Sequence, residues 1–261
     1  MNFPRILAVA TTLVSIPAMA PADVQRGGTA PGFADELAAS FPPSIAMPKE
    51  LRAALDWLES QGAVQHYRNP SEDGPLRFAT LYPADSGVPE FRQSLAVFQV
   101  FPDFHYEGAS YPADIRDRLV WFARTGGDGS MAGLWIDDAG KTQIVHFGSG
   151  SGSIWWGVAT DSMLDFLRFL AIGYTEPAFD EHHDSTPMEA FLFNYGLDGI
   201  DPADLDPQIL DEAPAPPRAF QAFLTERFGT TIPERGSQVI TSPRGDRNPP
   251  VTPFESWLFG R

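Results

Sequence analysis

Histidines and carboxylates are the first residues here that could do chemistry, because the chain contains no cysteine. Two of its five histidines stand in the run Asp180-Glu181-His182-His183-Asp184. Such a run offers metal-ligating side chains, but adjacent residues do not share a helix face, and no His-Glu-x-x-His spacing occurs. We therefore expect a solvated acidic loop here and no metal site.

A glycine-serine run from Gly148 to Gly152 invites comparison with phosphate-binding loops. The Rossmann spacing would need glycine where Ser153 stands, and no Gly-Lys-Ser/Thr follows for a P-loop. The run also fails as a nucleophile elbow, since Gly150 occupies the position of the central serine. We expect a hairpin loop and no cofactor.

The remaining candidates for acid-base chemistry are Asp137, Asp138 and His146. Adjacent side chains in a strand point to opposite faces, and the Asp-Ala-Gly that begins at Asp138 is typical of a turn. His146 stands between Val145 and Phe147 in a predicted strand, so its ring faces away from theirs. We expect a structural histidine and no catalytic residue.

The elements that position these residues are clearest in the middle of the chain. Apolar runs predict strands over 118–125, 131–136, 142–147 and 154–159, followed by a helix capped by Thr160 or Asp161. This order predicts an antiparallel meander with a packing helix, an α+β fold.

Weaker patterns flank this region. Helices are expected from Phe33 to Phe41, from Pro48 to Gln61, and over 219–228 with Gly229 as the stop. Residues 76–81 predict a short strand. Phe91, Leu95 and Phe98 fit a helix after Pro89, although 95–101 also fit a strand. A terminal cluster of Phe254, Trp257 and Phe259 is expected to dock on the core.

Charge limits the choice of partner. The chain has 34 acidic against 18 basic residues, a net charge of -16, which argues against nucleic acid or an anionic membrane as the direct partner. From Phe169 to Pro217 there are eleven acids and no Lys or Arg. This segment is either the solvated surface of a folded extension or a patch that faces a basic partner.

The candidate partner-binding residues come from that segment and from one tryptophan. Trp155 and Trp156 are adjacent, so one indole enters the core, and the other either anchors a partner or packs beneath the C-terminal region. The candidates are Asp180, Glu181, Asp184, Asp198, Asp201, Asp204 and Trp156.

Residues 1–22 have the pattern of a secretory signal: Arg5, an apolar run to Ile16, then small residues. The apolar run is shorter than the roughly 20 residues that span a bilayer, so no integral membrane segment is expected. Cleavage before Asp23 would place the protein in the periplasm or outside the cell. Translation from Met19 would instead leave it in the cytoplasm.

The central pattern resembles the SUKH superfamily of Smi/Knr-type regulators and bacterial immunity proteins. The resemblance covers about 115–172. It depends on a strand ending in Gly126-Gly127-Asp128-Gly129-Ser130, then Leu134-Trp135-Ile136, then the strand 142–147, and finally the helix with Leu164, Phe166 and Leu167. It implies structural roles for the glycine-rich loop and for Trp135.

The resemblance also implies a domain organisation: a SUKH-like α+β domain at 48–173, after a Pro/Gly/Ala-rich segment at 23–47. A Pro-rich, acidic and helical C-terminal extension at 174–261 would pack on the core. The family looks non-enzymatic, so the expected function is an immunity-like protein that neutralises a basic toxin by direct binding. A periplasmic hydrolase using dispersed carboxylates, and a cell-envelope scaffold, are the alternatives.

Overall fold

The structure is a computed structural model that describes residues 31–68, 75–101, 111–150, 153–241 and 251–260. The predicted signal at 1–22 and the first part of the 23–47 segment lie outside the described residues. Residues 31–261 form one compact unit.

An antiparallel sheet of seven strands organises this unit, and neighbours in the sheet are neighbours in the chain. The strands are β1 (Val64–Arg68), β2 (Pro75–Thr80), β3 (Val97–Gln99), β4 (Leu119–Arg124), β5 (Met131–Ile136), β6 (Thr142–Phe147) and β7 (Trp156–Thr160). The α+β class and the antiparallel meander are therefore confirmed. The strand over 76–81 is confirmed as β2, whereas β1 was not predicted.

Eight α-helices accompany the sheet in the described part of the chain. They are α1 (Phe33–Ala39), α2 (Lys49–Ser60), α3 (Ile115–Arg118), α4 (Met163–Leu170), α5 (Pro187–Asn194), α6 (Pro207–Leu210), α7 (Arg218–Phe228) and α8 (Pro253–Phe259). Helix α7 ends at Gly229, whose φ of 62° is left-handed, as the predicted stop requires.

One local prediction was wrong, and one that the sequence left open is decided by the structure. Helix α4 is capped by Ser162, whose hydroxyl accepts from the Asp165 backbone N–H at 3.1 Å, because the helix begins at Met163 and Thr160 is still part of β7. The region 90–101 contains a 3-10 turn at Glu90–Arg92 and then β3, which pairs with β2 and β4. Sheet pairing on both sides therefore decides in favour of the strand.

Strand alternation gives the sheet two apolar faces. Val120 and Phe122 of β4 belong to the larger core, which also contains buried residues of α1, α2, α4 and α7. The Phe122 ring meets Phe166 of α4 edge-on, with ring centroids 5.5 Å apart. Because Phe33 of α1 and Phe220 of α7 are fully buried in this core, it includes residues on both sides of the expected 48–173 domain.

The opposite face is covered by α8. Leu119, Trp121 and Trp135 pack there around Phe254, which is fully buried. The ring centroid of Phe254 lies 5.4 Å from that of Trp135 and 6.3 Å from that of Trp121. The prediction that the terminal aromatic cluster docks on the core is confirmed.

Candidate functional site

The eleven acids of the basic-free segment lie in one excursion from the fold. It leaves where the Leu95 N–H donates to the Thr175 carbonyl at 2.9 Å. It returns where Arg92 Nε donates to the Ala213 carbonyl at 2.7 Å and the Ala215 N–H donates to the Arg92 carbonyl at 2.9 Å. Residues 175–215, here called the acidic excursion, thus begin and end against the same short stretch, residues 92–95.

Local hydrogen bonds shape the excursion. Helix α5 begins at a capping box in which Thr186 and Glu189 bond reciprocally. Asp201 and Asp206 each accept a backbone N–H at 2.9 Å and so start the 3-10 turn Pro202–Asp204 and helix α6. The Tyr195 hydroxyl donates to Glu212 and joins the end of α5 to the end of the loop that follows.

The structure divides the candidate acids into those that face solvent and one that does not. Glu181, Asp184, Asp198 and Asp204 are exposed, and Asp201 is exposed while it caps its turn. Asp180, the first residue of the 3-10 turn Asp180–His182, is only 8% exposed, so its place among surface contact residues is a correction.

Three large apolar side chains are exposed among these acids. Phe193 is 59%, Tyr195 49% and Ile200 40% exposed. Helix α5 buries Ala190 and Leu192 instead. Helical periodicity over Met188, Phe191, Leu192 and Tyr195 predicts an apolar stripe on the core side, but Tyr195 is exposed, and Phe193 and Ile200 lie outside that stripe. The acidic excursion therefore exposes both apolar side chains and carboxylates, and its sequence contains no lysine or arginine.

The two adjacent histidines support the excursion from inside. His183 is fully buried, its Nε2 2.9 Å from the Pro177 carbonyl oxygen and its ring edge-on to Phe169. His182 is 7% exposed and packs near Phe193, and burial lowers its pKa. The expectation of a solvated loop is therefore wrong for these two rings. Within the described residues, no group of three or more histidines and carboxylates is placed to hold a metal ion.

The glycine-rich loop of 126–130 connects β4 to β5 beside the base of the excursion. Glu176 accepts the Gly127 N–H at 2.8 Å, and Asp128 accepts from both the backbone N–H and the hydroxyl of Ser130 at 2.9 and 2.8 Å. A Cβ on Gly126 would stand 2.7 Å from Glu176 Oε2 and 2.8 Å from Asp128 Oδ1. A side chain at position 126 would therefore force one or both carboxylates to move.

These contacts perturb Glu176. Burial raises the pKa of its carboxyl group, the bond from Gly127 opposes that rise, and the negative charge of Asp128 adds to it. Both carboxylates accept hydrogen bonds from the glycine-rich loop itself. The hydrogen bond from Gly127 to Glu176 therefore holds the glycine-rich loop to the start of the acidic excursion.

His146 lies beneath this loop on the core side. Its ring stacks on Trp155 with centroids 4.1 Å apart, and Nε2 lies 3.2 Å from Thr125 Oγ1. Val145 and Phe147 belong to the apolar cluster on the opposite face, so the predicted orientation is confirmed. Burial lowers the pKa of His146 to about 3, so the ring is neutral in the folded protein.

The other residues singled out in the sequence occupy structural positions. Trp156 is half-buried, stacks on Phe147 and contacts Phe259 of α8, which is the second of the two roles expected for it. Trp135 is buried beneath α8.

Asp137 accepts the Ala139 and Lys141 N–H groups, so the turn prediction is confirmed. Gly150 has a φ of 90°, while positions 151–152 of the glycine-serine run lie outside the described residues.

Comparison of the chain with protein-family models, curated proteins and solved structures finds no match. Across the described ranges, no helix is both long and apolar enough to cross a membrane.

Proposed function

We propose that this chain is a non-enzymatic protein-binding module of the immunity type, which neutralises a basic toxin by binding it on the acidic excursion. The observation that carries the proposal is the exposure of Phe193, Tyr195 and Ile200 among carboxylates, on a segment without a basic residue. Aromatic side chains are enriched at the centres of protein-binding surfaces, and polar residues form the rim around them.

The negative charge of the acidic excursion predicts that the partner carries positive charge. A patch of one charge sign steers an oppositely charged partner and raises the association rate. Within the excursion, Glu189 is paired with Arg235 at 2.7 Å, whereas Asp198 and Asp204 are exposed on the loop that Tyr195 closes. The resemblance of 115–172 to SUKH proteins supports the same class of function.

Co-expression tests the proposal directly. Each protein encoded beside this chain is produced with and without it, and we expect one basic toxin to lose its toxicity and to co-purify with the chain. If the chain neither restores growth nor co-purifies with any neighbour, the proposal is rejected.

Charge reversal tests the surface. Asp198→Lys with Asp204→Lys is compared with Asp56→Lys plus Glu226→Lys, exposed acids on α2 and α7 that give the same change in net charge. We expect the first pair to slow association about tenfold at low salt and the second to change it little. Equal association rates for the two pairs of variants would show that the acidic excursion is not part of the binding surface.

A further inference from the structure

A second exposed apolar surface lies at the base of the acidic excursion. Phe91 is 65% and Leu95 41% exposed, and they flank the stretch that receives both ends of the excursion. Scattered surface apolar residues are common in soluble proteins, so exposure alone carries no argument. The contacts around these two residues do.

The stretch between Phe91 and Leu95 is held rigidly. Ser94 is buried, and its N–H donates to the Tyr82 hydroxyl at 3.0 Å, which in turn donates to the Ala215 carbonyl at 2.8 Å. Arg92 bonds to Ala213 and Ala215 through its side chain and backbone. Side chains on a stretch anchored this way are presented without a large ordering cost on binding.

Leu95 also connects this surface to the glycine-rich loop. Its Cδ1 lies 3.1 Å from where a Cβ on Gly127 would stand, and its backbone N–H bonds to Thr175, the residue before Glu176. Exposed Asp85 and Glu90 precede Phe91 in the chain. The base of the excursion therefore has exposed apolar side chains and exposed acids in one short stretch of sequence, in which the guanidinium of Arg92 is bonded to the Ala213 carbonyl.

We propose that Phe91 and Leu95 extend the binding surface of the acidic excursion with a second apolar part at its base. Its occupant is a basic protein that presents an apolar side chain between lysines or arginines, since the carboxylates would attract the cations while Phe91 and Leu95 bury the apolar group. This inference rests on the proposed function and adds a sequence-distant site to it.

A library of short random peptides displayed on phage, selected on the full chain, supplies the probe. We expect enriched peptides to combine Lys or Arg with an aromatic or aliphatic residue. Their affinity should fall at least about tenfold on Phe91→Ser/Leu95→Ser and on Asp198→Lys/Asp204→Lys. Val251→Ser, at a residue 55% exposed near α8, is the matched control and should bind as wild type.

The other outcomes separate the two proposals. Peptides that lose affinity for the charge variant but bind Phe91→Ser/Leu95→Ser normally overturn this inference and leave the proposed function standing. Three results contradict both the proposed function and this inference. They are peptides that lose affinity only for Phe91→Ser/Leu95→Ser, enriched peptides without basic residues, and an absence of enrichment. Because all four substituted side chains are exposed, circular dichroism should show each variant folded, and one that is not is replaced by Phe91→Asn or Asp198→Asn.

Discussion

Replacing His146 with glutamine should remove a large part of the acid sensitivity of this fold. Burial lowers the pKa of His146 from 6.5 to about 3, so on acidification the unfolded chain takes up the proton first. The contribution to stability is complete above about pH 6.5 and is lost as pH falls towards 3. Each pH unit in that window costs about 1.4 kcal/mol, and between pH 7 and pH 5 linkage gives a loss of about 2 kcal/mol.

The assay is urea unfolding at pH 7 and pH 5, followed by tryptophan fluorescence. We expect the wild type to lose about 2 kcal/mol more than His146→Gln between the two conditions. His182, whose lowered pKa acts in the same direction, and Glu176, whose raised pKa acts in the opposite one, are present in both proteins and cancel in the comparison.

Phe122→Leu is the control for lost stability, because it disturbs the same core without removing a titrating group. It should be less stable than wild type at both pH values and keep the wild-type pH dependence. If His146→Gln shows the same pH dependence as wild type, the buried, neutral state of this ring is not the source of acid sensitivity, and the reasoning fails.

Two further substitutions probe the base of the acidic excursion and the packing of α8 on the sheet. Gly126→Ala places a methyl group against the Glu176 and Asp128 carboxylates, and overpacking of this kind lowers the free energy of unfolding in urea by about 1–3 kcal/mol. Adding Glu176→Ala should recover part of this loss. If it recovers none, the contact with Glu176 is not the source of the destabilisation. Phe254→Ala empties the space between Trp121 and Trp135, for which we expect a loss of about 3–5 kcal/mol and a red-shifted tryptophan emission. A loss below 1 kcal/mol would mean that α8 contributes little to the apolar cluster beneath it.

The central strands could be predicted because each carries its own signal. Strands β5 and β6 have the predicted bounds, since an apolar run in β5 and β-branched and aromatic residues in β6 lie between turn residues and need no information from elsewhere. Strand β1 lacks such a run: Val64 is half-buried, and Gln65 and His66 are exposed. Its strand conformation depends on pairing with β2, which the local sequence does not encode.

The candidate surface was harder to predict than the strands. Its concentration of charge is visible in composition, but the exposure of Phe193 and Ile200 depends on which side of α5 and its following loop meets the core. The hydrogen bond between Glu176 and Gly127 joins residues 49 positions apart, and the local sequence around neither residue predicts it. The sequence does not show that Phe91 and Leu95 lie beside the acidic excursion, because only the fold brings both ends of the excursion to them.

The tyrosine–glutamate bond between Tyr195 and Glu212 has a consequence for how this protein can evolve. Residues 196–212 include no buried residue, and the bond brings their two ends together. The entropy of closing a loop rises only slowly with its length, so residues inside this closure can be inserted, deleted or exchanged with little effect on the sheet. A binding protein built this way can change its partner by rewriting one loop while the sequence that folds the sheet stays the same.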